Sequence, residues 1–188
     1  MDKINLPHQG WRRASVPVSH APDGTATILE LQGNVLSSYF VYGLVDTLDR
    51  LQQGDMLCTL NNSRQRVRAV VPKAYTHVKL RAPSGGGGGL LRWKLGFRPS
   101  TTCAELSDAA HGKHPDVLQY RGPAVKARFE VHKGGYAYLH HRSSDGGKQQ
   151  LEYVSLGPYR GTVEIPGPGL IEVDCLTAWS LTLTPLQG

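Results

Sequence analysis

Residues 67–97 read VRAVVPKAYTHVKLRAPSGGGGGLLRWKLGF. Three short runs alternate apolar with charged residues, and Pro72, Pro83 and the five glycines Gly85 to Gly89 separate them. A period of two sends successive side chains to opposite faces of a strand. Val67, Ala69 and Val71 therefore point inward, as do Val78 and Leu80, and Leu91, Trp93 and Leu95. The same rule sends Arg66, Arg68, Lys79, Arg81, Arg92 and Lys94 outward, with Arg64 continuing the row.

The rest of the chain follows the same manner. Strand runs are expected at Ala26 to Leu31, with Ile28 inward, and at Tyr39 to Tyr42. Further runs are Val125 to Val131, Tyr136 to His140, Gln150 to Val154, Thr162 to Ile165, Leu170 to Asp174 and Trp179 to Leu183. Leu44, Leu48 and Leu51 stand at helix spacing and allow one helical turn within residues 45–60. With 22 glycines and 12 prolines among 188 residues, closely spaced short strands predict an all-β antiparallel sandwich or jelly roll. The composition excludes a collagen, a coiled coil and a wholly disordered chain.

The first stretch has an echo. Val71-Pro72, Val78-Lys79-Leu80 and Trp93-Lys94-Leu95 match Ile165-Pro166, Ile171-Glu172-Val173 and Trp179-Ser180-Leu181 in order. The proline-to-tryptophan spacing is 21 residues in one and 13 in the other. The longer spacing lies mostly in the insertion Ser84 to Gly89, which a hairpin tip absorbs at small entropic cost. Two tandem related sandwich copies are predicted, residues 1–98 and 123–188, joined by a connector at 99–122. Trp93 and Trp179 should hold equivalent core positions.

Gly157-Pro158-Tyr159-Arg160-Gly161-Thr162-Val163, Pro166-Gly167, Leu170-Ile171-Glu172-Val173 and Trp179-Ser180-Leu181-Thr182-Leu183 resemble β-sandwich modules of uncharacterised actinobacterial proteins. The connector segment Pro115 to Tyr120 has a similar character. The resemblance covers roughly the last 75 residues. It implies a fold and carries no activity.

Charge is lopsided. Residues 1–99 hold 13 Lys/Arg against 6 Asp/Glu, while residues 100–188 hold 8 against 9. If the strands of the first copy are neighbours, Arg64, Arg66, Arg68, Lys79, Arg81, Arg92 and Lys94 form one basic face. Like charges side by side on strands are unfavourable, so such a face wants an anion. At matching positions of the second copy, Val70 becomes Glu164, Lys79 becomes Glu172, Arg81 becomes Asp174 and Lys94 becomes Ser180, which predicts an acidic face. A basic and an acidic face could meet a protein partner or a second copy, giving a homo-oligomer. Nucleic acid is the competing partner, less favoured because aromatics are only 7% of residues.

A further platform is Tyr136, Tyr138, His140 and Arg142, placed on one outer face by alternation. Rings with hydrogen-bonding heads suit a sugar or another flat ligand, although exposed strand tyrosines also serve cross-strand pairing alone. His111 and His114 lack the helical spacing of a zinc protease, and His140 and His141 face opposite sides. No nucleophile elbow, Walker loop or GxGxxG is present, and Gly85 to Gly89 lacks the Lys-Ser/Thr of a phosphate loop. Three cysteines, Cys58, Cys103 and Cys175, form no CxxC pair, and Cys58 and Cys175 read as core residues. Residues 1–7 show no apolar leader core. The expectation is a cytoplasmic, non-enzymatic binding or assembly protein with no metal, no cofactor and no membrane partner.

Overall fold

The computed structural model describes residues 6–61, 64, 66–83, 92–144 and 146–184. Among them the chain forms seventeen strands and one 3-10 turn at Ser100–Thr102, divided between two compact units, Met1–Thr102 and Cys103–Gly188. The first unit holds β1 (His8–Trp11), β2 (Ala14–Pro17), β3 (Thr27–Gly33), β4 (Ser38–Thr47), β5 (Arg50–Asn61), β6 (Arg66–Val71), β7 (His77–Arg81) and β8 (Arg92–Pro99). Two antiparallel sheets result, ordered β1-β8-β3-β6 and β2-β7-β4-β5.

The second unit holds β9 (Ala104–Glu105), β10 (Ala109–Gly112), β11 (Asp116–Tyr120), β12 (Val125–Val131), β13 (Ala137–Arg142), β14 (Lys148–Val154), β15 (Tyr159–Ile165), β16 (Gly169–Cys175) and β17 (Trp179–Thr184). Its sheets are ordered β10-β17-β12-β15 and β14-β13-β16-β11-β9. Adding nine to each strand number of the first unit reproduces the order of the second, with β9 as an additional parallel edge strand. Eight antiparallel strands split this way between two sheets form a jelly roll.

Each unit has its own core, contributed by both of its sheets. In the first, Leu29, Leu31, Val67, Ala69, Val71, Trp93 and Leu95 of one sheet pack with Val16, Tyr39, Val41, Leu60, Val78 and Leu80 of the other. In the second, Phe129, Val131, Val163, Ile165, Trp179 and Leu181 meet Leu118, Leu139, Ile171 and Val173. Alternation thus assigned the inward residues of β6, β7 and β8 correctly. Cys58 and Cys175 are buried as expected.

Three expectations need correction. Residues 99–122 are not a connector. They carry β9, β10 and β11, and the last two are integral to the second unit's sheets. Their strands are only two to five residues long and broken by glycine and proline, which hides them in sequence. Residues 45–60 form no helical turn but the β4–β5 hairpin, with Leu48 and Leu51 exposed near its tip. Ile28 is buried, yet Leu29 and Leu31 are the β3 residues that enter the core cluster. The expectations for Leu91 and for Ser84 to Gly89 fall outside the described residues.

The two tryptophans do occupy matching places. Trp93 on β8 pairs with Gly10 on the edge strand β1, and Trp179 on β17 pairs with Gly112 on the edge strand β10. A Cβ on either glycine would lie 2.6 Å from the indole ring, so each ring lies against bare backbone. The Trp93 indole N–H donates to the Arg12 carbonyl at 3.2 Å, and that of Trp179 to the His114 carbonyl at 3.0 Å. The acceptor is two residues beyond the glycine in both. Arg12 reaches this geometry at φ 63°.

Trp179→Ala is expected to cost about 3–5 kcal/mol in chemical denaturation through the cavity it leaves. Gly112→Ala should cost about 1–3 kcal/mol by forcing the ring aside. An unchanged denaturation midpoint in either variant would contradict this packing.

Candidate binding faces

The outer face of β1-β8-β3-β6 gathers most of the predicted cations. Gln32 on β3 is flanked in register by Arg66 on β6 and Lys94 on β8, and Arg92 is paired with Trp11 on β1. Arg64 is exposed just before β6, where its carbonyl accepts the Gln32 amide. The neighbouring position on β3 is Glu30, which sequence reading overlooked. Its side chain is 1% exposed and accepts from Arg66 Nη1 at 3.2 Å, Arg68 Nε at 3.0 Å and Arg98 Nε at 3.2 Å. A buried carboxylate persists only with such partners. Arg66 and Arg68 are therefore partly structural, and Arg98 joins them. A lone carboxylate on an apolar strand, facing an arginine-rich one, was the available signal.

Two of the seven cations belong elsewhere. Lys79 and Arg81 lie on β7 in the opposite sheet, beside Tyr42 and Phe40. Alternation separates inside from outside but does not say which sheet a strand joins. The basic face consequently shrinks to Arg64, Arg66, Arg92 and Lys94 with the Glu30 cluster at its centre. Trp11 is 49% exposed, and the Arg92 guanidinium lies 4.1 Å from its ring centroid, a cation–π contact.

The expected acidic face is not one surface. Glu164 lies on β15 opposite Lys126 of β12, whereas Glu172 and Asp174 lie on β16 in the other sheet. Glu172 is neutralised by Arg142 Nε at 2.6 Å and Lys148 Nζ at 3.6 Å. Instead, these two acids stand among the predicted platform residues. Tyr138 is in register with Asp174 and His140 with Glu172. Tyr136, just before β13, is exposed. The structure adds Tyr153, which opposes Tyr138 from β14. The Tyr138 ring stacks on Tyr153 at 4.7 Å and on His140 at 5.9 Å. The β14 register depends on a bulge at Leu139/His140, which no sequence pattern announces.

The electrostatics of this face follow from partial burial. His140 falls to about 4, first because burial disfavours the imidazolium, then because Lys148 and Arg142 repel it. Asp174 rises to about 6, first through burial, then through Glu172, with Lys148 opposing. Burial also raises the Tyr153 phenol, helped by its hydrogen bond with Tyr138. His111 lies on β10 opposite Ser180, and burial lowers His114 just beyond it, followed by repulsion from Lys113. No group of three His, Cys, Asp or Glu side chains gathers as metal ligands would among the described residues.

No family model matches the chain. No curated protein matches it either. Among solved structures it is similar to a "putative secreted protein" from Parabacteroides distasonis ATCC 8503, at 12% identity over 94% of this chain and 75% of that one, with a TM-score of 0.24. Likeness at that level carries no argument, and the fold stands on strand order and core packing. Among the described residues, no helix is long and apolar enough to cross a membrane.

His140 and Asp174 should act on stability with opposite signs. The folded state holds the Asp174 proton more tightly than an ordinary aspartate does, so its contribution is lost as pH rises toward about 6. The folded state holds the His140 proton less tightly than an ordinary histidine does, so its contribution is lost as pH falls toward about 4. Melting temperatures across this range should show Asp174→Asn gaining stability above pH 6, and His140→Asn gaining stability near pH 4. Parallel profiles for both variants and the parent would contradict the assignment.

Proposed function

We propose that the protein is a non-enzymatic binding protein whose first unit docks an acidic protein surface on the outer face of β1-β8-β3-β6. The observation that carries this reading is the Trp11 end of the sheet. Arg64, Arg92 and Lys94 are exposed there, none is ion-paired to a carboxylate among the described residues, and a half-exposed tryptophan sits with them. Such a patch combines an apolar anchor with surrounding charge, the composition that interface centres favour. Glu30 supports it from below by fixing Arg66 in place. A partner must supply the missing negative charge. A protein surface fits better than single-stranded nucleic acid, because one face of the exposed indole, Trp11, is already taken by Arg92, leaving little stacking platform. Self-association is less favoured, since Glu172 is satisfied within the second unit and Glu164 faces a lysine, which leaves Asp174 alone of the predicted acidic face.

Anisotropy titrations with a labelled poly-glutamate peptide and a single-stranded oligonucleotide, at low and high salt, test the reading. The peptide should bind, weaken with salt, and lose about tenfold in affinity when Arg64, Arg92 and Lys94 are all changed to Gln, each exposed charge contributing under ~1 kcal/mol. Thermal stability of that variant should be unchanged. Tighter binding of the oligonucleotide would move the partner to nucleic acid, and binding of neither would end the proposal.

A further inference from the structure

We propose that the outer face of β14-β13-β16 in the second unit is a separate binding site for a neutral saccharide. Tyr153 offers the ring, and Asp174, His140 and Gln150 offer the hydrogen bonds. Register places these groups in two adjacent cross-strand rows, Tyr153–Tyr138–Asp174 and Gln150–His140–Glu172. The charges of the face cancel: Glu172 and Asp174 stand against Arg142 and Lys148. A neutral ligand therefore loses nothing to either sign, whereas an anion meets two carboxylates and a cation meets two basic side chains.

Within that balance the two acids differ. Glu172 is held by both cations, but no side chain is hydrogen-bonded to Asp174 among the described residues. A half-buried carboxylate that no side chain hydrogen-bonds is an acceptor for ligand hydroxyls, and a charged acceptor makes the stronger hydrogen bond. Uncharged His140 can both donate and accept. The ring geometry narrows the choice further. Tyr138 is stacked between Tyr153 and His140, so neither of its own faces is open to a ligand. Tyr153 has one face against Tyr138 and remains 42% exposed on an edge strand, where the C–H face of a pyranose can lie on it. At the matching positions of the first unit, Phe40 and Tyr42 face Arg81 and Lys79. The carboxylates are missing there, so the site belongs to the second unit alone.

Calorimetric titration of the full chain with neutral oligosaccharides of glucose, mannose, galactose, xylose and N-acetylglucosamine provides the test. At least one should bind. Tyr153→Ala and Asp174→Asn should each weaken it about tenfold, the effect expected for losing a stacking ring or a charged acceptor. Tyr153→Phe should keep most of the affinity, which separates ligand contact from loss of folding. Tyr42→Ala in the first unit, and the triple Arg64, Arg92 and Lys94 variant, should leave saccharide binding unchanged. Binding by none of the sugars, or binding indifferent to Tyr153→Ala and Asp174→Asn, would overturn the proposal without touching the acidic-partner reading.

Discussion

In both units a tryptophan lies flat over a glycine of the neighbouring edge strand and ties its indole N–H to a carbonyl two residues further on. The contact demands a missing Cβ on one strand and a large ring on the other, and it draws the edge strand onto the core. Among the described residues, β1 and β10 each have one strand neighbour, β8 and β17, so little else in the sheet holds them in register. The tryptophan sets that register and buries its own polar atom with a partner, which keeps the cost of a large buried heterocycle low. Once the edge is fixed, the outer face of the same sheet in the first unit is fixed too, including the Trp11–Arg92 pair one residue to either side.

The distribution of charge follows from how a jelly roll winds. Apart from the β4–β5 and β13–β14 hairpins, successive strands within a unit hop between sheets, so β6 and β7, neighbours in sequence, end on opposite surfaces of the sandwich. A row of cations continuous along the chain is thereby divided, and what remains on one face is organised by Glu30. The buried carboxylate is costly alone and stable only because guanidinium groups converge on it. The second unit solves the corresponding problem differently, with Glu172 drawing in Arg142 and Lys148. The sign inversion anticipated between the units holds at Lys79 against Glu172 and Arg81 against Asp174, on the corresponding strands β7 and β16.

Much of the architecture was legible. Alternation in β6, β7, β8, β13 and β16 assigned the core residues correctly, because in those strands apolar side chains alternate with polar or charged ones. It failed at β3, where both faces are covered and Ile28, Leu29, Glu30 and Leu31 are all buried, so parity gives no signal. Leu48 and Leu51 suggested a helix by spacing alone, yet they project from a hairpin tip. The candidate faces were legible in part: the residues of each were found, but their grouping was not. Which strands become neighbours is decided by non-local packing, and the Tyr138–Tyr153 pair depends on a bulged register that only the folded sheet defines.

Hydrogen exchange at the three indole N–H groups, resolved by nitrogen-15 NMR, addresses the tryptophan contact directly. The structure requires Trp93 and Trp179 to exchange slowly and Trp11, half exposed on the outer face, to exchange at once. If either buried indole exchanged as fast as Trp11, the shared scaffold of the two units, and the placement of the faces built on it, would be wrong.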